Sequence, residues 1–289
     1  MTQSIHASPR GLGLAAVLAA VALTMLAAFA GAARADNYAA LGDSYAAGPL
    51  IPNQIGPPLG CLRSSNNYPH LTAPSTGATL RDVTCSGATT EDMTEAQSTE
   101  LGTNPPQFDA LDSETTVVSL TIGGNDIGFS DIALSCITFN PFSTPCKDQY
   151  NSGGKDVIAE RIAATAPEVD AVLDGIAELA PGADVYVVNY APIFPETGFG
   201  CWPQMPIGWG DVPYLRAKQK QLNGMLATQA ANNGATLVDW YKAGIGHDAC
   251  KGSSTRWVEP VVPGNPAAPI HPNKAGMVGG ANALVAAIE

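Results

Sequence analysis

Charged side chains are scarce in this sequence of 289 residues, and positive ones are the scarcer: 14 Lys and Arg stand against 26 Asp and Glu. Residues 1–35 contain no acidic side chain, so residues 36–289 carry a formal charge of −14. Nucleic acid and anionic lipid are therefore not expected as main partners, because Lys and Arg carry phosphate binding. An apolar content of 45% with few charge runs excludes a disordered chain.

Metal-site patterns are missing as well, and histidine is rare. Beyond residue 35 the histidines are His70, His247 and His271. No two cysteines form a CxxC pair and no Cys/His cluster has the spacing of zinc ligands, so we expect neither a metal nor another cofactor. The six cysteines favour structural disulfides in an oxidising compartment. They allow 15 pairings, among which the sequential one is the simplest.

Long apolar runs are missing everywhere except near the start, where the 23 residues from Gly11 to Ala33 are uncharged and rich in alanine. Ala33 and Ala35 supply the small residues of a signal-peptidase site, which predicts a secretory leader over 1–35 and a mature start at Asp36. The alternative is an uncleaved membrane anchor, since such a run is long enough to span a bilayer. We expect residues 36–289 to form one domain, a monomer outside the cytoplasm, secreted or attached to the cell wall.

Strand-like and helix-like patterns alternate along residues 36–289. Short β-branched, apolar runs predict buried strands, and amphipathic spacing predicts helices between them. This alternation predicts a parallel sheet with helices on both faces, in which reactive residues gather beyond the carboxyl ends of the strands. The predicted strands begin at the mature N-terminus and cover 78–83, 115–124, 183–193 and 235–240, and the predicted helices cover 155–180 (split or kinked at Pro167), 212–234 and 274–289. The expected loops are 48–77 (with one short helix near Tyr68), 130–154 and 195–211, and 91–100 is a candidate short helix.

Two of the predicted strands end in motifs suited to chemistry. Gly42-Asp43-Ser44 places a serine at the carboxyl end of a strand, where it is a nucleophile if a base reaches its hydroxyl, although such a tripeptide alone is more often a simple turn. Gly123-Gly124-Asn125-Asp126 offers close backbone approach and an uncharged amide donor, which suits an oxyanion hole or an Asx turn. His271, at a loop-to-helix corner, is favoured as the base over His247 and His70.

These blocks, in this order, resemble the SGNH, or GDSL, hydrolases. The set is completed by Cys85-Ser86-Gly87-Ala88-Thr89 and by His271-Pro272-Asn273. The cysteine-rich loops, with NYP near 68 and GHDAC near 250, are similar to the secreted actinobacterial lipase/esterase branch. The resemblance covers nearly all of residues 36–289 and implies a three-layer α/β/α (flavodoxin-like) fold with a central parallel sheet of about five strands. It also implies three disulfides paired in sequence order: Cys61–Cys85, Cys136–Cys146 and Cys201–Cys250.

The resemblance further implies a role for each matching residue. Ser44 would be the nucleophile, and His271 its general base and later the acid toward the leaving alcohol. The Ser44 N–H, the Gly87 N–H and the Asn125 side-chain amide would form the oxyanion hole. The implied activity is that of a secreted serine carboxylic-ester hydrolase, a lipase or esterase, which cleaves small-molecule or lipid esters through an acyl-enzyme.

One position departs from the family's pattern. Most members carry an Asp three residues before the histidine, and here that position is Ala268. Two arrangements stay open. Either the His271 Nδ1–H donates to a backbone carbonyl, with that of Ala268 as the favoured acceptor, or a distant carboxylate such as Glu259 or Asp248 folds back onto the ring.

Two alternatives to a lipase or esterase stay open, one for the substrate and one for whether the protein is catalytic. One is an O-acetyl polysaccharide deacetylase that uses the same site, and another is a cell-wall binding protein that kept the fold without catalysis. The intact set of Ser44, Gly87, Asn125 and His271 argues against the second. The loop 193–212 either lines an acyl pocket or packs around Cys201; its apolar side chains are Phe194, Phe199, Trp202, Met205, Ile207 and Trp209.

Overall fold

The computed structural model describes residues 1–4 and 36–289, so the predicted leader lies outside the described residues apart from its first four. Residues Asp36–Glu289 form one compact unit. Within the part of the chain that the structure describes, no helix is both long enough and apolar enough to cross a membrane.

Five parallel strands form the central sheet. They are β1 (Asn37–Gly42), β2 (Thr79–Asp82), β3 (Val117–Thr121), β4 (Asp184–Val188) and β5 (Thr236–Val238), in the order β2-β1-β3-β4-β5. This is the flavodoxin-like order, in which the chain reverses its direction of winding between β1 and β3. The prediction of a parallel sheet of about five strands in a three-layer fold is confirmed.

The strands are buried because helices cover both faces of the sheet. In β1 and β3 the side chains are almost wholly shielded from solvent, which is why their sequences are continuous apolar runs instead of alternating ones. Polar side chains inside this layer are paired: the hydroxyls of Tyr38 and Ser119 lie 2.7 Å apart on neighbouring strands.

Two pairs of long helices form the outer layers. α2 (Tyr68–Thr76) packs against α8 (Lys274–Ile288), and α5 (Val157–Leu179) packs against α6 (Asp211–Asn232). α5 continues through Pro167 as one helix, so the predicted split is absent. The shorter helices are α1 (Ser44–Ala47), α3 (Phe129–Ser135), α4 (Pro145–Tyr150) and α7 (Trp240–Ala243).

Two segments differ from their predictions. Residues 130–154, expected as a loop, contain most of α3 and all of α4, and the start of α4 is capped by Asp211, whose carboxylate accepts the N–H groups of Cys146 and Lys147 at 3.0 Å each. Residues 91–100 form no α-helix: a 3-10 turn, Thr90–Met93, is followed by a short strand. That strand, Gln97–Thr99, pairs with Gly102–Asn104. Two other short antiparallel pairs are Gln54–Ile55 with Arg63–Ser64 and Asn151–Ser152 with Lys155–Asp156. Further 3-10 turns are Leu59–Cys61 and Gln107–Ala110.

Three disulfides fasten the long loops at the carboxyl edge of the sheet. The structure joins Cys61 to Cys85, Cys136 to Cys146 and Cys201 to Cys250, which is the sequential pairing. The first lies directly before the turn that contains Gly87, and the third ties the loop after β4 to the segment that leads toward His271.

Candidate active site

Ser44 lies just beyond the carboxyl end of β1, as the first residue of α1. Asp43 caps this helix by accepting the Tyr45 N–H at 2.8 Å through Oδ1. Gly42 has a φ of +143°, and a Cβ there would come within 2.5 Å of the Thr121 carbonyl oxygen. The tight turn that presents the Ser44 hydroxyl therefore requires glycine before the Asp-Ser pair.

His271 meets Ser44 across 227 residues of sequence: Nε2 of the imidazole is 2.8 Å from the Ser44 Oγ. The imidazole is carried by the loop before α8, which Asn273 caps by accepting the Gly276 N–H. The Tyr45 hydroxyl donates to the carbonyl of Ile270 at 2.8 Å, so the histidine loop is fastened to α1. The pair has the hydrogen-bonded geometry of a nucleophile and its base.

The other ring nitrogen of His271 faces a backbone carbonyl, that of Pro269, at 2.7 Å. The predicted acceptor, the Ala268 carbonyl, is wrong by one residue, because it accepts the backbone N–H of His271 at 3.2 Å instead. Between them Ile270 has a φ of +62°, which turns the chain and brings the Pro269 oxygen under the ring. Since a carbonyl only accepts, Nδ1 carries the proton and Nε2 is left to accept from the Ser44 hydroxyl.

Neither of the two alternative carboxylates contacts the imidazole. Glu259 is buried and accepts from the Arg256 guanidinium and, at 2.7 Å, from the Asn273 side chain. Burial alone would raise the pKa of Glu259, but these donors hold it at about 2. Asp248 accepts the Cys250 N–H. Glu259 therefore braces the loop that carries His271 without touching the ring.

Burial lowers the pKa of His271 below its usual value, and the hydrogen bond to the Pro269 carbonyl offsets part of that effect. The ring is therefore neutral at neutral pH, which is the form that accepts a proton from a serine. Among the residues that the structure describes, no group of His, Cys, Asp and Glu side chains has the arrangement of a metal site.

Gly87 lies in a turn held between the two other loops of the site, and its φ of +86° is one that glycine adopts without strain. Before it, the Cys85 N–H donates to the carbonyl of Gly42 at 2.9 Å. After it, the carbonyl of Ala88 accepts from the Asn125 side-chain amide at 2.8 Å. The contacts on either side bring the Gly87 turn, the serine loop and the asparagine loop together.

The three loops that meet here each carry an uncharged N–H donor. Within residues 36–289 the backbone N–H groups of Ser44 and Gly87 have no acceptor, and Asn125 uses one of its two amide hydrogens on Ala88. Neutral N–H donors of this kind are what a developing oxyanion needs, because they stabilise negative charge without reorganising.

A buried chain of hydrogen bonds, which no sequence motif indicates, joins the serine and asparagine motifs. The Tyr190 hydroxyl donates to the second carboxylate oxygen of Asp43 at 2.6 Å and accepts the Gly124 N–H at 2.7 Å. Burial raises the pKa of Asp43 to about 7, although its hydrogen bonds from Tyr190 and Tyr45 act to lower it. A Cβ on Gly124 would come within 2.8 Å of the Tyr190 oxygen, which explains the second glycine of that motif. The available signal was the position of Tyr190, two residues beyond the carboxyl end of β4.

A cleft lined mostly by apolar side chains opens beside Ser44 and His271. Its walls come from the segment after Gly124 and from the facing sides of α5 and α6, and the loop 193–212 contributes little. Of the six side chains expected from that loop, Phe194 alone lines the cleft, and the others lie elsewhere. The apolar lining consists of Ile127, Phe129, Ile132, Ile158, Ile193, Phe194, Leu215 and Leu222.

Fold and motifs are shared with characterised proteins. Residues 40–278 match the GDSL-like Lipase/Acylhydrolase family. The chain is 42% identical to Lipase 2 of Streptomyces coelicolor over 266 residues. This aligned region covers 89% of this chain and 88% of that protein. Its structure is similar to that of phospholipase A1 from Streptomyces albidoflavus NA297, with a TM-score of 0.74 and 29% identity over 87% of this chain and 99% of that one. The extracellular lipase of Streptomyces rimosus has a TM-score of 0.68 and 30% identity over 88% and 100% of the two chains.

Proposed function

The chain belongs to the GDSL-like lipase/acylhydrolase family and is a carboxylic-ester hydrolase, and we propose that it cleaves acyl esters through an acyl-enzyme on Ser44. The observation that carries this proposal is the contact of 2.8 Å between the Ser44 Oγ and Nε2 of an imidazole whose Nδ1 faces a carbonyl. That arrangement leaves Nε2 unprotonated and aimed at the hydroxyl that it has to deprotonate.

In the first half-reaction the Ser44 Oγ attacks the carbonyl carbon of the ester as its proton passes to Nε2 of His271. Charge develops on the former carbonyl oxygen and is stabilised by the Ser44 N–H, the Gly87 N–H and the Asn125 amide. The tetrahedral intermediate collapses as His271 returns the proton to the leaving alkoxide. The alcohol departs and the acyl group remains on Ser44.

In the second half-reaction water replaces the alcohol. His271 takes a proton from the water, which attacks the acyl carbon, and the same three donors stabilise the second oxyanion. His271 then returns the proton to the Ser44 oxygen as the carboxylic acid leaves. The carbonyl of Pro269 orients the ring but carries no charge, so it stabilises the imidazolium less than the carboxylate of a triad would.

The apolar cleft beside Ser44 holds the acyl chain. Its lining by isoleucine, leucine and phenylalanine side chains favours acyl groups longer than acetyl, since each buried methylene adds about 0.8 kcal/mol of binding free energy. This lining supports a lipase or esterase over a deacetylase.

The enzyme is exported and acts outside the cell. Its leader, 1–35, is removed before Asp36, and the remaining domain works as a monomer on small-molecule or lipid esters. The three disulfides and the similarity to an extracellular Streptomyces lipase support this placement.

Hydrolysis of p-nitrophenyl esters of graded chain length, from acetyl to palmitoyl, tests the proposal. We expect turnover by the wild-type protein with a preference for chains longer than acetyl, and a loss of at least about 10³-fold in kcat for Ser44→Ala. Ser75→Ala, which removes an exposed hydroxyl from α2, is the matched control and should keep wild-type rates.

Three outcomes would contradict the proposal. Absence of turnover on every ester would point to a binding protein, and turnover of the acetyl ester alone would point to a deacetylase. A Ser44→Ala protein that keeps its activity while remaining folded would show that another residue is the nucleophile.

A further inference from the structure

Two long segments beside the cleft contain no charged residue. Residues 132–146 run uncharged from Asp131 to Lys147, and residues 197–210 run uncharged from Glu196 to Asp211. The rest of residues 36–289 therefore carries all of the net charge of −14. These two uncharged segments of an acidic domain lie close in sequence to the residues of the cleft, and Ile132 of the first lines it.

The neutral region presents large apolar side chains to solvent. Phe139 and Phe142 are 92% and 78% exposed, far more than apolar side chains that belong to a core. With Leu134 and Trp209, which are also exposed, they form a patch that we name the apolar rim. Large exposed apolar side chains grouped on neighbouring segments are typical of an interaction surface.

The two segments are fastened to each other, so the apolar rim is a built surface. The rings of Phe142 and Trp209 pack edge to face with centroids 4.9 Å apart. Main-chain hydrogen bonds of 2.7 Å join Thr138 to Pro206 and Trp209 to Pro141. The disulfide Cys136–Cys146 closes the first segment on itself.

The apolar rim is linked to the cleft wall through α3 and α6. α3 contributes Phe129 and Ile132 to the cleft and carries Leu134 of the rim one half-turn further on. On the other side α6 begins two residues after Trp209 and contributes Leu215 to the cleft. The rim and the cleft wall are therefore connected along the chain on both sides.

We propose that the apolar rim docks the enzyme onto a lipid surface with zwitterionic or uncharged headgroups and inserts its aromatic side chains among the acyl chains. This inference rests on the proposed ester hydrolysis, for which such a surface supplies the substrate. Phenylalanine, tryptophan and leucine side chains suit the boundary between headgroups and acyl chains. The absence of Lys and Arg from the rim excludes attraction to anionic headgroups as the binding force.

The size of the apolar rim favours a lipid over a second copy of the chain. A stable protein interface buries about 20–30 residues on each side, whereas the rim consists of four side chains on two loops. Insertion into lipid needs no complementary surface, and a few exposed aromatic side chains are enough for reversible attachment.

Vesicle binding by the inactive Ser44→Ala protein tests the proposal without consuming the lipid. We expect this protein to co-sediment with phosphatidylcholine vesicles, and the additional changes Phe139→Ser and Phe142→Ser to lower its partition coefficient at least tenfold. The matched control replaces Leu101 and Leu179, two exposed leucines outside the cleft lining, by serine and should leave the partition coefficient as it was. Binding should persist in 1 M NaCl, because burial of apolar side chains is not screened by salt.

A second readout uses the active enzyme. For each variant, the rate on phosphatidylcholine vesicles is divided by the rate on a dissolved short-chain p-nitrophenyl ester. This ratio should fall at least tenfold in the Phe139→Ser, Phe142→Ser protein and stay constant in the leucine control. If the double variant does not fold, Phe139→Ser alone, at the most exposed position, should lower the ratio at least threefold.

The proposal is overturned if the Ser44→Ala protein does not bind vesicles, if the phenylalanine changes leave binding intact, or if 1 M NaCl abolishes it. A dimer in solution that the same changes dissociate would assign the rim to a second copy instead. Failure of the proposed function would look different, since the wild-type protein would then hydrolyse no ester, dissolved or in vesicles.

Discussion

Each carboxylate oxygen of Asp43 accepts a hydrogen bond inside the protein, and burial of this carboxylate lowers the stability of the folded state. One oxygen caps the helix that begins with Ser44, and the other accepts from Tyr190, whose hydroxyl also holds the Gly124 N–H. Burial makes the ionised carboxylate unfavourable and raises its pKa to about 7. The network thus joins the serine loop to the loop that contains Asn125, and its cost in folding free energy grows as the pH rises toward about 7.

Replacement of Asp43 by Asn should reveal this cost as a change in pH dependence. Between pH 3.8 and about 7 the folded chain keeps a proton that the unfolded chain releases. The contribution of Asp43 to the free energy of unfolding is therefore complete below the lower value and is lost as the pH rises through about 7. The asparagine side chain does not titrate and still offers an oxygen to the Tyr45 N–H, so we expect the Asp43→Asn variant to gain stability relative to the wild type, by on the order of 4 kcal/mol between pH 4 and 8.

Urea unfolding of both proteins at several pH values from 4 to 8 measures the difference. The comparison cancels groups common to both proteins, such as Glu259, whose lowered pKa acts in the opposite direction. A difference that stays constant over this range would show that Asp43 has an ordinary pKa in the folded protein.

At the residue scale, the sequence predicts the catalytic motifs but not the residues that hold these motifs in place. The contact of Ser44 with His271 follows the expected arrangement, because short motifs at strand ends converge on one edge of a parallel sheet. The acceptor for the His271 Nδ1–H is the carbonyl of Pro269 instead of that of Ala268, because the backbone turns at Ile270. Ile270 has a left-handed conformation, which an isoleucine rarely adopts and which its sequence therefore does not predict. Tyr190 was missed since its partners are 147 and 66 residues away.

α8 is packed so closely against its neighbours that a Cβ at Gly276, Gly279 or Gly280 would come within 3.0 Å of another atom. A Cβ on Gly280 would lie 2.9 Å from the indole of Trp240, whose ring is fully buried and has no space to move. A Cβ on Gly279 would overlap the ring of Trp257, which is partly buried. The low helix propensity of glycine is tolerated here because it lets the helix approach the two rings.

A pair of glycine-to-alanine changes separates packing from helix propensity. Gly280→Ala should lower the free energy of unfolding by about 1–3 kcal/mol, because the added methyl overpacks the Trp240 ring. Gly224→Ala, at an exposed position of α6 with no atom within 4 Å of the new Cβ, should raise it by about 0.5–1 kcal/mol. Urea unfolding of the two variants beside the wild type provides the test, and a gain of stability in both would mean that the Trp240 ring yields to the methyl group.

At the element scale, long periodic segments were predicted well and short ones were not. The strands and the helices α5, α6 and α8 follow their apolar patterns, because burial in a layered fold sets those patterns. The sequence predicts a loop where α4 lies, because the N–H groups of its first turn are satisfied by Asp211, 64 residues further along the chain. The expected helix at 91–100 became a turn and a hairpin strand, whose stability comes from pairing with residues 102–104.

For the molecule as a whole, disulfides join segments that are distant in sequence near the active site. The Cys201–Cys250 disulfide links residues 49 positions apart and joins the loop after β4 to the region before His271. Cys136–Cys146 closes 10 residues within one segment of the apolar rim. In the chain-entropy view a crosslink restricts the unfolded chain, so the longer closure stabilises the folded state more.

Removal of each crosslink by paired cysteine-to-alanine changes puts this ordering to the test. Loss of Cys201–Cys250 should lower the free energy of unfolding by about 4 kcal/mol, and loss of Cys136–Cys146 by about 3 kcal/mol, because loop-closure entropy grows with the logarithm of the separation. Guanidinium unfolding of both variants and of the wild type, each under oxidising conditions, gives the three values. Equal or reversed losses would mean that contacts in the folded loops, and not restriction of the unfolded chain, determine what these crosslinks contribute.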